Sequence, residues 1–170
     1  MMSRDKARLF LALWPGPEVR AAITQHRDAW RWPTKAAPVR PEKLHLTLHF
    51  IGDVERKRLP ELQRQLRVHF EPFRLQLGYP ELWPHGIAIL RPLMIPDGIM
   101  QLQAALGCAL RHLDLPVDAR EFQPHITLAR HAGEAALPEQ QPLIAWDVDS
   151  YVLVESEFDA DRTYTILARY

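Results

Sequence analysis

The sequence predicts an α+β fold in which helices cover mainly antiparallel sheets. Three observations predict it. Apolar runs of strand length and amphipathic helical stretches follow one another in the order strand, helix, strand, helix, strands, helix, strands. No linker or low-complexity segment divides the chain. And two near-identical runs, HLTL at 45–48 and HITL at 125–128, occupy similar places in the two halves.

Taken in order, RLFLALW at 8–14 is a short apolar run closed by Pro15, a buried strand. PGPEVRAAITQHRDAW follows as a helix, with Val19, Ala22, Ile23 and Trp30 on one face. The proline-bearing stretch at 33–41 is a loop, suited to a mobile rim. LHLTLHFIG at 44–52 alternates as a strand. From an N-cap at Asp53 a helix is expected, carrying Leu59, Leu62, Leu66 and Phe70, although Pro60 disfavours its first turns. FRLQLG and HGIAILRP read as strands. PDGIMQLQAALGCALRHL is the clearest helix, striped by Ile99, Leu102, Leu106, Leu110 and Leu113, with Cys108 packed beside them. FQPHITLAR is a further strand, and the tail from Ala145 gives two β-rich runs joined by a polar turn at 159–162.

Bulk properties narrow the function. The chain has 170 residues, 47% of them hydrophobic and 25% charged, as in ordinary globular proteins. Basic and acidic side chains number 21 each, so no net field draws in long duplex nucleic acid, whereas a terminal nucleic-acid substrate needs only local donors. The opening MMSRDKARLFLALWP lacks a signal-peptide pattern, and no run is long enough to span a membrane. A single cysteine, Cys108, forms no internal disulfide and suits a reducing cytoplasm.

The repeated tetrapeptide is where chemistry concentrates. In a strand, Leu44, Leu46, Leu48 and Phe50 share one face, and His45, Thr47 and His49 the other. His45 and Thr47 are then roughly 6.6 Å apart along the chain, close enough to touch one tetrahedral group. The second copy repeats this with His125 and Thr127. Similar sheets related by an approximate twofold axis bring both histidines to one cleft. Near neutrality one imidazole accepts a proton while the other gives one, and threonine hydroxyls donate to phosphate oxygens. The constellation suits phosphate-ester chemistry without a metal. Zinc is disfavoured, because His45 and His49 in a strand lie about 13 Å apart. His49 reads as a solvated side chain or a rim contact. His26, His69, His85, His112 and His131 read as surface or packing residues.

With RLFLAL, PEKLHLTLHFIGDV and FQPHITLAR together, the chain resembles the two-histidine (2H) phosphoesterase superfamily. The resemblance is to its LigT-like branch of RNA 2′,3′-cyclic phosphodiesterases, also known as 2′-5′ RNA ligases, and covers essentially the whole chain. It implies one bilobal domain over 1–170, with two pseudo-symmetric lobes, each an antiparallel β-sheet flanked by helices, and a central active-site cleft. It implies hydrolysis of RNA 2′,3′-cyclic phosphate ends to 2′-phosphates without cofactor or metal. His45 and His125 carry over as the proton-transfer pair, assigned as donor and acceptor respectively, although the symmetric motifs contain nothing to order them. Thr47, Thr127 and Arg130 carry over as phosphate binders. Strict alternation puts Arg130 on the apolar side, so a bulge or the strand end must turn it round. The expected partners are RNA 3′ ends or small nucleotides, met by a cytoplasmic monomer. The rival readings are a non-catalytic RNA-end binding module and a related phosphodiesterase acting on 2′-5′ oligonucleotides or another cyclic nucleotide phosphate. ATP-independent 2′-5′ joining is the same chemistry in reverse. A nucleobase needs a stacking surface, for which Phe10, Trp32 and Trp83 are candidates by type alone.

Overall fold

The unbroken apolar run at 9–13 has a simple origin: the strand it forms is covered on both faces. In the computed structural model, which describes residues 5–170, β1 (Lys6–Leu13) directs Leu9, Leu11 and Leu13 into the main core. Phe10 and Ala12 join a smaller cluster on the opposite face with Val152 and Val154. Residues 1–4 of the expected leaderless opening lie outside the described residues.

The other strands are β2 (Ala37–Pro38), β3 (Leu46–Glu55), β4 (Phe73–Trp83), β5 (Ile87–Pro92), β6 (Ile126–Arg130), β7 (Ile144–Val148), β8 (Val152–Ser156) and β9 (Tyr164–Arg169). Every pairing among them is antiparallel, in the order β7-β4-β5-β6-β3-β1-β8-β9, with β2 beside β6. The two expected sheets meet at one place, where Leu46 of β3 pairs with Ile126 of β6. From there the halves diverge, and the 33–41 loop fills the gap beside β6. That loop is fastened and is not a free rim: Ala37 and Pro38 pair with Arg130 and Ala129, the Val39 amide donates to the Leu128 carbonyl, and Arg27 donates to the Val39 carbonyl.

Helices cross between the halves. The first, α1 (Pro17–Asp28), leaves β1 yet packs on β7 of the opposite half. The third, α3 (Asp97–His112), leaves β5 and packs on β3. The leucine stripe explains the second docking, since Ile99, Leu102, Leu106, Leu110 and Leu113 are all buried. Cys108 departs from expectation. It is exposed, because at 100° per residue it sits well round the helix from Leu106 and Leu110. No helix among the described residues is long and apolar enough to cross a membrane.

Two other boundaries differ from the sequence reading. Asp53 caps no helix: it pairs with Arg8 inside β3, which continues to Glu55. A 3₁₀ turn (Arg56–Arg58) then leads into α2 (Leu59–Gln65), where Pro60 occupies the first turn, the position at which a missing N–H is harmless. The first β-rich run of the tail breaks at 149–151, so β7 pairs with β4 in one half and β8 with β1 in the other. Buried Tyr151 anchors this crossing: its hydroxyl donates to the Leu66 carbonyl and accepts from the Val68 amide, both at 2.8 Å.

Candidate active site

The Leu46–Ile126 pair acts as a local twofold axis. Continuing the antiparallel register by one residue sets His45 opposite Thr127 and Thr47 opposite His125. The four side chains form a rectangle with the histidines on one diagonal, where Cα atoms of a regular ladder are about 7–8 Å apart. Leu46 and Ile126 point to the core between them, both fully buried. The structure therefore brings His45, Thr47, His125 and Thr127 together on the face opposite the core.

Each histidine stands one residue before its strand, where the chain still curls. The consequence is the same in both copies: the Nδ1 of His45 lies 2.6 Å from the Lys43 carbonyl, and that of His125 lies 2.7 Å from the Gln123 carbonyl. A carbonyl only accepts, so Nδ1 carries the hydrogen and Nε2 is left for the cleft.

Beyond Thr47 and Thr127 the strands share a second feature, a bulge. On β3 the partner of Ala12 is Thr47 and the partner of Leu11 is His49, so Leu48 is the extra residue. On β6 the partner of Ile89 is Thr127 and the partner of Ala88 is Ala129, so Leu128 is the extra residue. Each bulge reverses the side-chain alternation beyond it. His49 consequently turns inward, 5% exposed, with its Nε2 2.7 Å from the Gln103 carbonyl of α3. That corrects its reading as a solvated or rim residue. Phe50 turns outward, 70% exposed, instead of facing the core with Leu46. The matching residue of the second copy is Arg130, which the bulge likewise returns to the open face, where its charge acts on both His45 and His125.

The surroundings of the two imidazoles differ. His45 is boxed by aromatic rings: stacked on Trp14 at 5.0 Å and 6°, tilted against Phe10 at 5.0 Å, and met edge-on by Tyr164 at 5.5 Å. Burial in this box pushes its pKa down to about 4, with smaller contributions from Arg130 and His125, against the raising effect of the Lys43 carbonyl. Among the described residues His125 has one ring neighbour, Trp83 at 4.5 Å. Its pKa is also lowered, first by burial and then by the charges of Arg130 and Arg91, while the Gln123 carbonyl opposes them.

Of the aromatic candidates, Phe10 and Trp83 flank the histidines, whereas Trp32 stacks on Trp30 at 5.0 Å beyond α1. Trp14, Tyr164 and Arg91 escaped the sequence reading. Trp14 was within reach of it, since pairing Leu13 with Leu46 makes the next residue face His45. Arg40 and Lys43 close the rim by binding Asp161, through its carboxylate at 3.3 Å and its backbone carbonyl respectively.

A family model for the 2′-5′ RNA ligase superfamily matches residues 15–162. The chain belongs to this superfamily. Within it, the LigT-like two-histidine phosphoesterases are its kin. It is 32% identical to an RNA 2′,3′-cyclic phosphodiesterase of Escherichia coli, over 98% of this chain and 97% of that one. It is 30% identical to an enzyme of the same name from Thermus thermophilus, over 96% of this chain and 89% of the relative. Among solved structures, E. coli LigT complexed with 3′-AMP superposes with a TM-score of 0.85 at 31% identity, covering 97% of both chains. The duplicated tetrapeptide thus falls where β3 and β6 join the halves.

Proposed function

We propose that this protein is a phosphoric diester hydrolase that opens RNA 2′,3′-cyclic phosphate ends to 2′-phosphates, with His45 and His125 as general acid and base. The family supports the enzyme class, through relatives named RNA 2′,3′-cyclic phosphodiesterase. The observation that carries the mechanism is the diagonal arrangement of the two imidazoles about the Leu46–Ile126 pair, with both Nδ1 atoms engaged on carbonyls.

The cyclic phosphate sits over the rectangle, its non-bridging oxygens accepting from Thr47, Thr127 and Arg130. These donors meet the charge that grows in the transition state. His125 Nε2 takes a proton from water as the water oxygen bonds to phosphorus. The bond from phosphorus to O3′ breaks, and His45 Nε2 delivers its proton to O3′. The products are a 3′-hydroxyl and a 2′-phosphomonoester, and exchange with solvent restores both rings. The aromatic box supports this order of roles, because the acid must lie beside the ribose and the rings around His45 offer the nucleoside an apolar wall. A 5′-hydroxyl in place of water yields a 2′-5′ linkage without ATP, and its lower abundance relative to water makes hydrolysis the prevailing direction. No step calls on a metal. The protein acts as a cytoplasmic monomer on RNA 3′ ends or small nucleotides.

The test is an oligonucleotide ending in 2′,3′-cyclic phosphate, incubated in EDTA, with the product phosphomonoester mapped. A 2′-phosphate is expected, and H45A or H125A should each lower kcat by about 10²–10⁴-fold. The roles separate on a substrate with sulfur at the 3′ bridging position, whose departure needs no proton: H45A should lose far less on it than H125A. Binding without turnover, or full activity in either variant, would refute the proposal.

A further inference from the structure

In an in-line displacement the attacking oxygen enters opposite the departing one. With the ribose O3′ beside His45, the attacking group therefore lies on the flank of His125. Water has no substituent to be held there, yet that flank is furnished.

Trp83, the last residue of β4, sets its ring 4.5 Å from the His125 imidazole at 56° and is only half-buried. The hairpin that carries it is pinned, since the Ala132 amide donates to the Gly86 carbonyl at 2.8 Å. The neighbouring strand supplies Arg91. Ile89 pairs with Thr127 and Leu90 with Ile126, and one more step of that register sets Arg91 opposite His125, on the side away from His45. The local twofold axis thus puts Arg91 at the position that Trp14 fills beside His45. Its guanidinium lies over the Tyr79 ring, 4.9 Å from the centroid, with Nε 3.3 Å from a carboxylate oxygen of Glu81. Among the described residues its terminal nitrogens donate no hydrogen bond to a protein acceptor.

The two histidines therefore keep different company. Three rings enclose His45, whereas beside His125 stand one half-buried indole and a braced cation with an open fork. A nucleobase stacks on such a ring whatever its identity, and a guanidinium fork captures an oxyanion in bidentate fashion. A ligand both aromatic and anionic is a nucleotide. The oxygen it presents to His125 is its 5′-hydroxyl, so its own phosphate is the one at the 3′ position.

We propose that Trp83 and Arg91 form a subsite for a second nucleotide on the attacking side of phosphorus, the ring taking its base and the cation its 3′-phosphate. This rests on the function and the order of roles proposed above, and it assigns the residues that select a nucleotide alcohol over water. In joining, O5′ bonds to phosphorus and the bond from phosphorus to O3′ breaks. The O5′ proton passes to His125, and O3′ takes the proton of His45. Cleavage of a 2′-5′ diester retraces these steps, and the second nucleotide departs from the same subsite.

The experiment uses the cleavage direction. Three 2′-diesters of adenosine are compared, whose departing alcohols are methanol, adenosine through O5′, and adenosine 3′-phosphate through O5′. All are primary alcohols, so their intrinsic leaving abilities are close. With the unaltered protein kcat/KM should rise about fivefold or more from methanol to adenosine, the lower end of what one stacked base contributes. It should rise about tenfold or more again with the 3′-phosphate, the range of one charge-assisted contact. Trp83→Ala should bring the first ratio towards one, and Arg91→Gln the second. Each ratio is taken on a single protein in which His125 protonates every departing oxygen, so an effect of either side chain on its basicity cancels. Should W83A or R91Q fail to fold, Trp83→Leu, apolar without a ring, and Arg91→Lys, charged without a fork, decide the matter: each should lower its ratio. Either ratio near one in the unaltered protein, or undiminished in its variant, would overturn the subsite and leave the hydrolase intact. So would failure to cleave any of the three by a protein that opens 2′,3′-cyclic phosphate. Inactivity on the cyclic phosphate itself would remove the hydrolase reading and this inference with it.

Discussion

Replacing Trp14 by alanine should release His45 from its depressed titration. The imidazole's pKa stands at about 4 against an ordinary 6.5, and burial is the main cause. Three rings supply that burial, and Trp14 lies flat on the imidazole at 5.0 Å, covering a whole face. Opening one of three walls should return about 1 unit, equivalent to about 1.4 kcal/mol in the cost of protonating the ring. The direct assay is an NMR titration of the His45 ring protons, in which the midpoint should rise by about that amount. The kinetic counterpart is the pH profile of kcat/KM. Both histidines are depressed, so the bell of the unaltered protein should centre below 6.5, with limbs belonging to the coupled pair. In W14A the acid limb should move towards neutrality while the alkaline limb stays nearly fixed. A bound phosphodiester anion favours the charged rings, so the kcat profile should sit to the alkaline side of the kcat/KM profile. An unmoved or lowered His45 midpoint in W14A would refute burial as the cause.

Other perturbations bear on the scaffold. Tyr151→Phe strands the Leu66 carbonyl and the Val68 amide, which should cost about 1–3 kcal/mol and lower Tm by several degrees in a thermal melt. Gly86→Ala should destabilise by more than about 1 kcal/mol in urea titration, because φ is +72° there and a Cβ would stand 2.9 Å from the Ala132 and Gly133 amides. His26 accepts from the Trp30 indole and has a pKa pushed down to about 4 by burial. The unfolded chain therefore takes up this proton first, and stability should fall as pH drops from 6.5 towards 4. Relative to His26→Gln, which keeps an acceptor but does not titrate, the loss should approach roughly 3 kcal/mol in urea melts along a pH series.

Much of this architecture was legible in residue order. The α3 stripe announced its buried face, and the duplicated tetrapeptide announced a shared strand position, because both signals are local periodicities. What escaped the reading is non-local. A bulge changes no residue type, so nothing in HLTLHF tells that Leu48 is the extra residue and that His49 and Phe50 exchange faces. Arg130 exposed the difficulty, since alternation alone sends it to the wrong side. The break at 149–151 was hidden for a related reason: β7 and β8 have similar composition, and only their partners, β4 and β1, distinguish them. The aromatic box joins Phe10 and Trp14, both from β1 and its end, to Tyr164, some 150 residues later, which pairing through β8 and β9 brings to the same ring.

The matched bulges have a consequence for directionality. A rectangle that maps onto itself under rotation cannot distinguish the two orientations in which an ester enters, and half of all encounters would be misaligned. The corners just past the irregularities add to the asymmetry of the aromatic box: one offers the flat hydrocarbon of Phe50 and the other the cation of Arg130. The duplicated scaffold thereby presents an apolar corner and a cationic one where its two copies would otherwise match.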